Sequence, residues 1–186
     1  MIGYAICGSY CCFSHSLATL ERLVLSGEEV VPIMSERACS TDTRFWLASE
    51  FCSRVRSICG RDIISTIADA EPLGPIKPLE ALIISPCTGN TLSKLAHGMT
   101  DSAVLMAAKA HLRQDRPLLI ALASNDAMSQ NLANIGRLLL RKGVYFVPMR
   151  QDDPDRKPHS LVADFSRIPD SLAALREGKQ LRPLFI

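Results

Sequence analysis

The sequence predicts an α/β fold built on a doubly wound parallel sheet with helices on both faces. Short apolar runs alternate with segments whose apolar residues recur at helical spacing, at the N-terminus and again from residue 81 onward. The runs ALII, PLLIALA and VYFVPM are nearly continuous, as expected of strands buried on both faces. Four polar segments, GSYCC, SERACS, PCTGNT and SNDAMS, each follow an apolar run, where a parallel sheet gathers its ligand-binding loops.

The elements follow in order. MIGYAIC reads as a strand, GSYCC as a loop, and Leu17, Leu20, Leu23 and Val24 mark a helix behind the possible cap Ser14, stopped at Gly27. VVPIM is a second strand ending at Ser35. Residues 36–60 are polar, then weakly helical, with Phe45, Trp46 and Phe51 as local bulk. DAEPLGPIKPLE, dense in proline and glycine, is expected to be an extended connection. Strand ALIIS then leads through PCTGNT to helices, one of them around 101–113. Strand PLLIALA leads through SNDAMS to a helix around 129–142, with Leu132, Ile135, Leu138 and Leu139 on one face. VYFVPM is the last strand. With 186 residues, one domain over 1–186 is expected, with 151–186 a charged C-terminal tail and a short helix near 169–178.

Composition excludes several classes. No apolar stretch approaches the roughly 20 residues of a spanning helix, and the start lacks a basic-then-apolar signal, so a cytoplasmic protein without membrane contact is expected. The net charge of +2 comes from interleaved acids and bases with few aromatics, which argues against nucleic acid. The seven cysteines include no C-x-x-C and no zinc-ligand spacing. Reduced, mostly buried thiols and no metal site follow.

Glycine, hydroxyls and free N–H groups beside a helix start can hold a phosphate without a lysine. GSYCC and PCTGNT offer this combination, while the usual dinucleotide and P-loop signatures are absent. A phosphorylated cofactor is therefore expected, against the plainer reading of these residues as turns and caps.

PCTGNT resembles the P-A-S-A-N-T motif of the homo-oligomeric flavin-containing cysteine decarboxylases, with Pro86, Thr88, Asn90 and Thr91 in matching places. The strings STDTRF, TGNTLSKLAHGMTDSAVLMAAKA, GVYFVPMRQDDPDRKPHSLVA and GKQLRP are more specifically similar to a family within that group, the flavoprotein-like B subunits of dipicolinate synthases of endospore-forming bacteria. The resemblance implies a flavodoxin-like fold, FMN, and a homo-oligomer based on trimers. It also implies a partner, the dipicolinate synthase A subunit carrying NADP or NAD, and formation of dipicolinate in the mother cell from a lysine-pathway intermediate. By position, Gly8, Ser9, Ser35, Thr88, Gly89, Thr91 and Asn125 would contact FMN, and Asn90 would act at the substrate. The decarboxylases' histidine has no counterpart in residues 36–80, and their P-x-M-N-x-x-M motif is displaced to ASNDAM. A free-standing decarboxylase and a non-catalytic scaffold for the partner stay open as alternatives.

A dicarboxylate substrate calls for fixed cations. Arg44, Arg150 and Lys157 are the candidates, with Arg156 beside Lys157, and His159 could titrate near neutrality if the tail folds over the site.

Overall fold

The computed structural model describes every residue except Pro75 and Lys77. Strands β1 (Ile2–Ile6), β2 (Val30–Met34), β3 (Leu82–Cys87), β4 (Leu118–Ser124) and β5 (Val144–Phe146) are parallel, in the order β2-β1-β3-β4-β5. This is the flavodoxin-like order. From β1 the chain winds to β2 on one side, then crosses to β3 on the other. Helix α1 (Phe13–Leu25) therefore leaves β1 in one direction and α5 (Gly89–Ala96) leaves β3 in the other, opening a crevice at the carboxyl ends.

Both faces of the sheet are buried. Ala5, Ile33, Leu82, Ile84 and Ile120 pack with α6 (Ala103–Leu112) and α7 (Leu132–Leu139). Ile2, Tyr4, Ile6, Ile83 and Leu119 face α1, α3 (Ala48–Cys59) and α8 (Ile168–Arg176). Each fully buried Leu, Ile or Phe of these layers contributes about 1.5–3 kcal/mol. Tyr4 alone among them brings a polar tip, and its hydroxyl reaches Ser16 Oγ at 3.1 Å and Ser85 Oγ at 2.9 Å. Burial pushes that phenol up to about 12.

Several expectations are corrected. A 3-10 turn, Tyr10–Cys12, runs straight into α1, so the helix starts at Phe13 and Ser14 lies inside it rather than capping it. Gly27 does end the helix, at φ +95°. SERACS is a short helix, α2 (Glu36–Ser40), because the Ser35 hydroxyl accepts the Ala38 N–H. Within DAEPLGPIKPLE, Asp69 and Ala70 belong to α4 (Ile67–Ala70), capped by Thr66, and Glu71–Leu73 form a 3-10 turn. Pro72 sits early in that turn, where no N–H is needed. Pro75 and Lys77 of the same segment lie outside the described residues. Helix α7 is shorter than the spacing predicts: Ile135 and Leu138 are buried with Asn134, whereas Leu132 and Leu139 are exposed.

The largest corrections concern the C-terminal third. VYFVPM breaks after Phe146, and the chain resumes as β6 (Met149–Arg150) past Pro148, which cannot donate to a ladder. The tail supplies a strand of its own, β7 (Leu161–Ala163), antiparallel to both β4 and β6. The sheet is therefore mixed, with seven strands, and the tail is part of it. Arg176 of α8 fixes the far end, donating to Glu28 at 2.7 and 2.9 Å and to Glu80 at 2.7 and 3.2 Å.

The outer strands are each covered by one or two residues. Ile64 exchanges hydrogen bonds with Pro32 and Met34 of β2, and Leu184 and Ile186 bond both groups of Met149 in β6. On β5 the Gln180 side chain accepts the Phe146 N–H at 2.9 Å and donates to its carbonyl at 2.6 Å.

Candidate functional site

The crevice at the ends of β1, β2 and β3 has a volume of about 330 Å³. Gly8, Ser35, Thr88, Asn90 and Thr91, all named from the sequence, line it. Thr88 is not part of an open loop, because β3 runs through Cys87 and α5 starts at Gly89. Its hydroxyl accepts the Thr91 N–H at 3.1 Å and donates to the Thr91 hydroxyl at 3.0 Å. The four-residue polar run is thus a cap and a first helical turn. The N–H groups of Gly89 and Asn90 have no hydrogen-bond partner among the described residues. Unspent amides at a helix start, beside two hydroxyls, suit an anion.

One wall is made by Tyr10, which no sequence motif singled out. A Cβ on Gly8 would lie 3.3 Å from the Tyr10 ring, so glycine lets that ring come close. The Tyr10 hydroxyl donates to the Arg37 carbonyl at 3.2 Å and ties the β1 loop to α2. The opposite wall holds Lys94, whose ammonium meets Asp101 at 2.5 Å, with Ser102 and Leu105 behind. Lys94 could have been found from the sequence: it lies four residues after Asn90 and three after Thr91, on one helical face. Asp101 could not, since its approach depends on the turn before α6. The hydrogen bond from Lys94 holds the Asp101 carboxyl below its usual range.

Beneath the crevice lie the thiols of Cys7 and Cys87. Burial pushes Cys7 up to about 11 and Cys87 well above its ordinary value, so neither forms a nucleophilic thiolate near neutrality. Gly89 is also buried here, against a polar network that the sequence did not reveal. A Cβ at Gly89 would strike the Ser124 hydroxyl, approach Asp126 Oδ1 to 2.6 Å and approach Asn131 Nδ2 to 2.8 Å. Ser124 donates a short hydrogen bond to Asp126, Asn131 donates to the same oxygen at 2.9 Å, and Asn134 donates to Asn131 at 2.9 Å. The Ser124 hydroxyl, followed by the Asn131 amide, holds the Asp126 carboxyl below its usual value.

The remaining sequence candidates lie outside the crevice lining. Ser9 is adjacent to it, but its N–H is spent on the Cys7 carbonyl at 2.8 Å. Asn125 is exposed. Arg44 is exposed, with its guanidinium 4.9 Å from the Phe45 ring centre. Arg150 lines a separate cavity of about 450 Å³ with His15 and Phe165. Lys157 pairs with Asp152 at 2.8 Å, and the His159 ring is exposed while its carbonyl accepts the Met128 N–H. No helix among the described residues is long and apolar enough to cross a membrane.

The chain that forms this crevice, at a flavodoxin-like switch point and walled by hydroxyls and helix-start amides, matches the family Flavoprotein over residues 2–168. The chain belongs to that family. Within it, the chain belongs with the dipicolinate synthase B subunits: it is 40% identical over 185 residues to the B subunit of dipicolinate synthase of Bacillus subtilis (strain 168), covering 100% of this chain and 92% of that one. The crystal structure of the dipicolinate synthase B subunit from Bacillus halodurans superposes with a TM-score of 0.92 at 40% identity, over 100% of this chain and 95% of that one. An FMN-dependent cysteine decarboxylase superposes with a TM-score of 0.68 at 21% identity over 95% of each chain, a likeness of fold alone.

Proposed function

We propose that this chain is the flavin-binding B subunit of a dipicolinate synthase, working with a nicotinamide-nucleotide-binding A subunit to form pyridine-2,6-dicarboxylate in a sporulating cell. The observation that carries this reading is the 40% identity to a named B subunit along the entire chain. The crevice supports FMN as the cofactor. Ser35, Thr88, Thr91 and the amides of Gly89 and Asn90 would hold its phosphate and polar chain, and Gly8 leaves room for the close approach of Tyr10. Bound FMN supplies two-electron chemistry to a site of this type. Asn90, exposed at the crevice, offers an amide that can donate to a substrate carboxylate.

None of the residues lining the crevice is a histidine or a cysteine. Removal of a substrate proton would then fall to a crevice carboxylate, Glu36 or Asp101, or to a group from the A subunit or from a second copy of this chain in a trimer-based assembly. The same observation favours a second reading, in which this chain positions its partner without itself reacting. A cysteine-type decarboxylase acting alone has less support, because the crevice lining offers no counterpart of the histidine those enzymes use.

The test is to record the visible spectrum of the purified chain with FMN, then to assay dipicolinate formation with the A subunit added. Flavin binding that Thr88→Glu abolishes, with dipicolinate formed only by the pair, is the expected result. Full activity of the A subunit alone would remove the proposal. Full activity of the pair with Thr88→Glu and no flavin would transfer it to the scaffold reading.

A further inference from the structure

We infer that Lys94 is the oxyanion-binding group of the crevice and that Asp101 is its resident competitor, occupying the ammonium until an anionic ligand displaces it. This rests on the reading of the crevice as a flavin and dicarboxylate site. Lys94 lies one turn beyond Asn90 on α5, and both line the crevice. The lysine side chain is 28% exposed and Asp101 is 49% exposed, so the cation is the more firmly seated partner and the carboxylate has water to move into.

Charge balance points the same way. Four charged residues line the crevice: Glu36, Arg37, Lys94 and Asp101. With the ion pair closed, these charges sum to zero and offer no net attraction to an anion. With Asp101 turned out to solvent, the other three leave one positive charge beside the unspent amides of Gly89 and Asn90. An entering oxyanion then exchanges one carboxylate partner of Lys94 for another, at little desolvation cost to the ammonium. A ligand without an anionic group leaves the pair closed and gains nothing from the lysine. The Lys94–Asp101 pair thereby discriminates between ligands by charge.

The oxyanion has two possible sources, the phosphate of a flavin mononucleotide or a carboxylate of the dicarboxylate. Equilibrium titrations of the full chain with FMN, riboflavin and pyridine-2,6-dicarboxylate separate them. Asp101→Asn removes the competitor and should tighten binding of the anion's owner roughly three- to five-fold, the range of a partly exposed ion pair. Lys94→Gln should weaken the same ligand, and Asp101→Asn added to Lys94→Gln should change nothing further.

Tightening of FMN with riboflavin unchanged assigns the site to the phosphate. Tightening of the dicarboxylate with FMN unchanged assigns it to the carboxylate. Unchanged or weaker binding of both anions in Asp101→Asn overturns the inference, as does a gain that persists in the Lys94→Gln background. Should the wild-type chain bind neither flavin, the flavin reading fails while the dicarboxylate arm still decides this one. Failure of all three probes to bind wild type and variants overturns both.

Discussion

Two polar segments of similar composition, PCTGNT at the end of β3 and SNDAMS at the end of β4, come to opposite ends. In the first, Thr88, Asn90 and Thr91 line an open crevice, and two helix-start amides stay without partners among the described residues. In the second, Asp126 accepts from Ser124 and from Asn131 just beyond the segment, and Asn131 accepts from Asn134, all beneath Gly89. A polar composition after a strand is therefore no measure of binding capacity. What counts is whether the polar groups have already satisfied each other. The closed network serves the open crevice, because Gly89 rests directly against it.

Substitutions at the contact between these two regions should have the largest effects. Gly89→Val drives a side chain into Ser124, Asp126 and Asn131, and overpacking of this kind should cost about 3 kcal/mol, read by urea unfolding, together with loss of flavin binding. If the variant keeps wild-type stability and affinity, the two regions are independent and the comparison fails.

Asp126→Ala should cost about 2 kcal/mol by leaving the nearly buried Ser124 and Asn131 without their acceptor. Asp126→Asn should retain part of that, since an amide oxygen still accepts. Thr88→Ala removes a helix cap and should cost about 1 kcal/mol, but it should weaken FMN binding more than Asp126→Asn does, because only Thr88 lines the crevice. Equal effects on affinity would erase the distinction between a buttress and a wall.

The smallest effect is a pH dependence. Asp126 is held below its ordinary 3.8 by the Ser124 hydroxyl and the Asn131 amide. A depressed carboxyl contributes stability that is present above its unfolded value and lost as pH falls through its folded value. From about pH 4 downward, denaturation curves of wild type should therefore fall more steeply than those of Asp126→Asn. Parallel curves would mean that the network does not depend on the charge.

The sheet and the core of the site were legible because their signals are local. Continuous apolar strands, the Leu17–Leu20–Leu23 spacing of α1 and the threonines at the start of α5 need no distant partner to be recognised. The Asp126 network was hidden because Asn131 and Asn134 lie in what reads as an ordinary polar helix start. Strand β7 was hidden for the same kind of reason: LVA is too short to stand out in a charged tail, and it becomes a strand only by pairing with Ala123–Ser124 and Met149–Arg150. The helical turns at 67–73 were masked by the proline-rich composition of the segment, although Pro72 suits the first positions of its turn. Arg44, Arg150 and His159 were selected by charge or titration and by place along the chain, neither of which specifies where a side chain lies relative to the crevice.

The treatment of the strand edges constrains how copies of this chain can meet. An uncovered edge invites another chain to add a strand, the route to fibres and runaway aggregation. Here Ile64 occupies β2, Gln180 imitates a neighbouring strand along β5, and the last residues close β6. Self-association by sheet extension is therefore blocked at three places. A second copy of this chain would have to approach through surfaces other than these strand edges, where side chains rather than backbone groups would decide the fit.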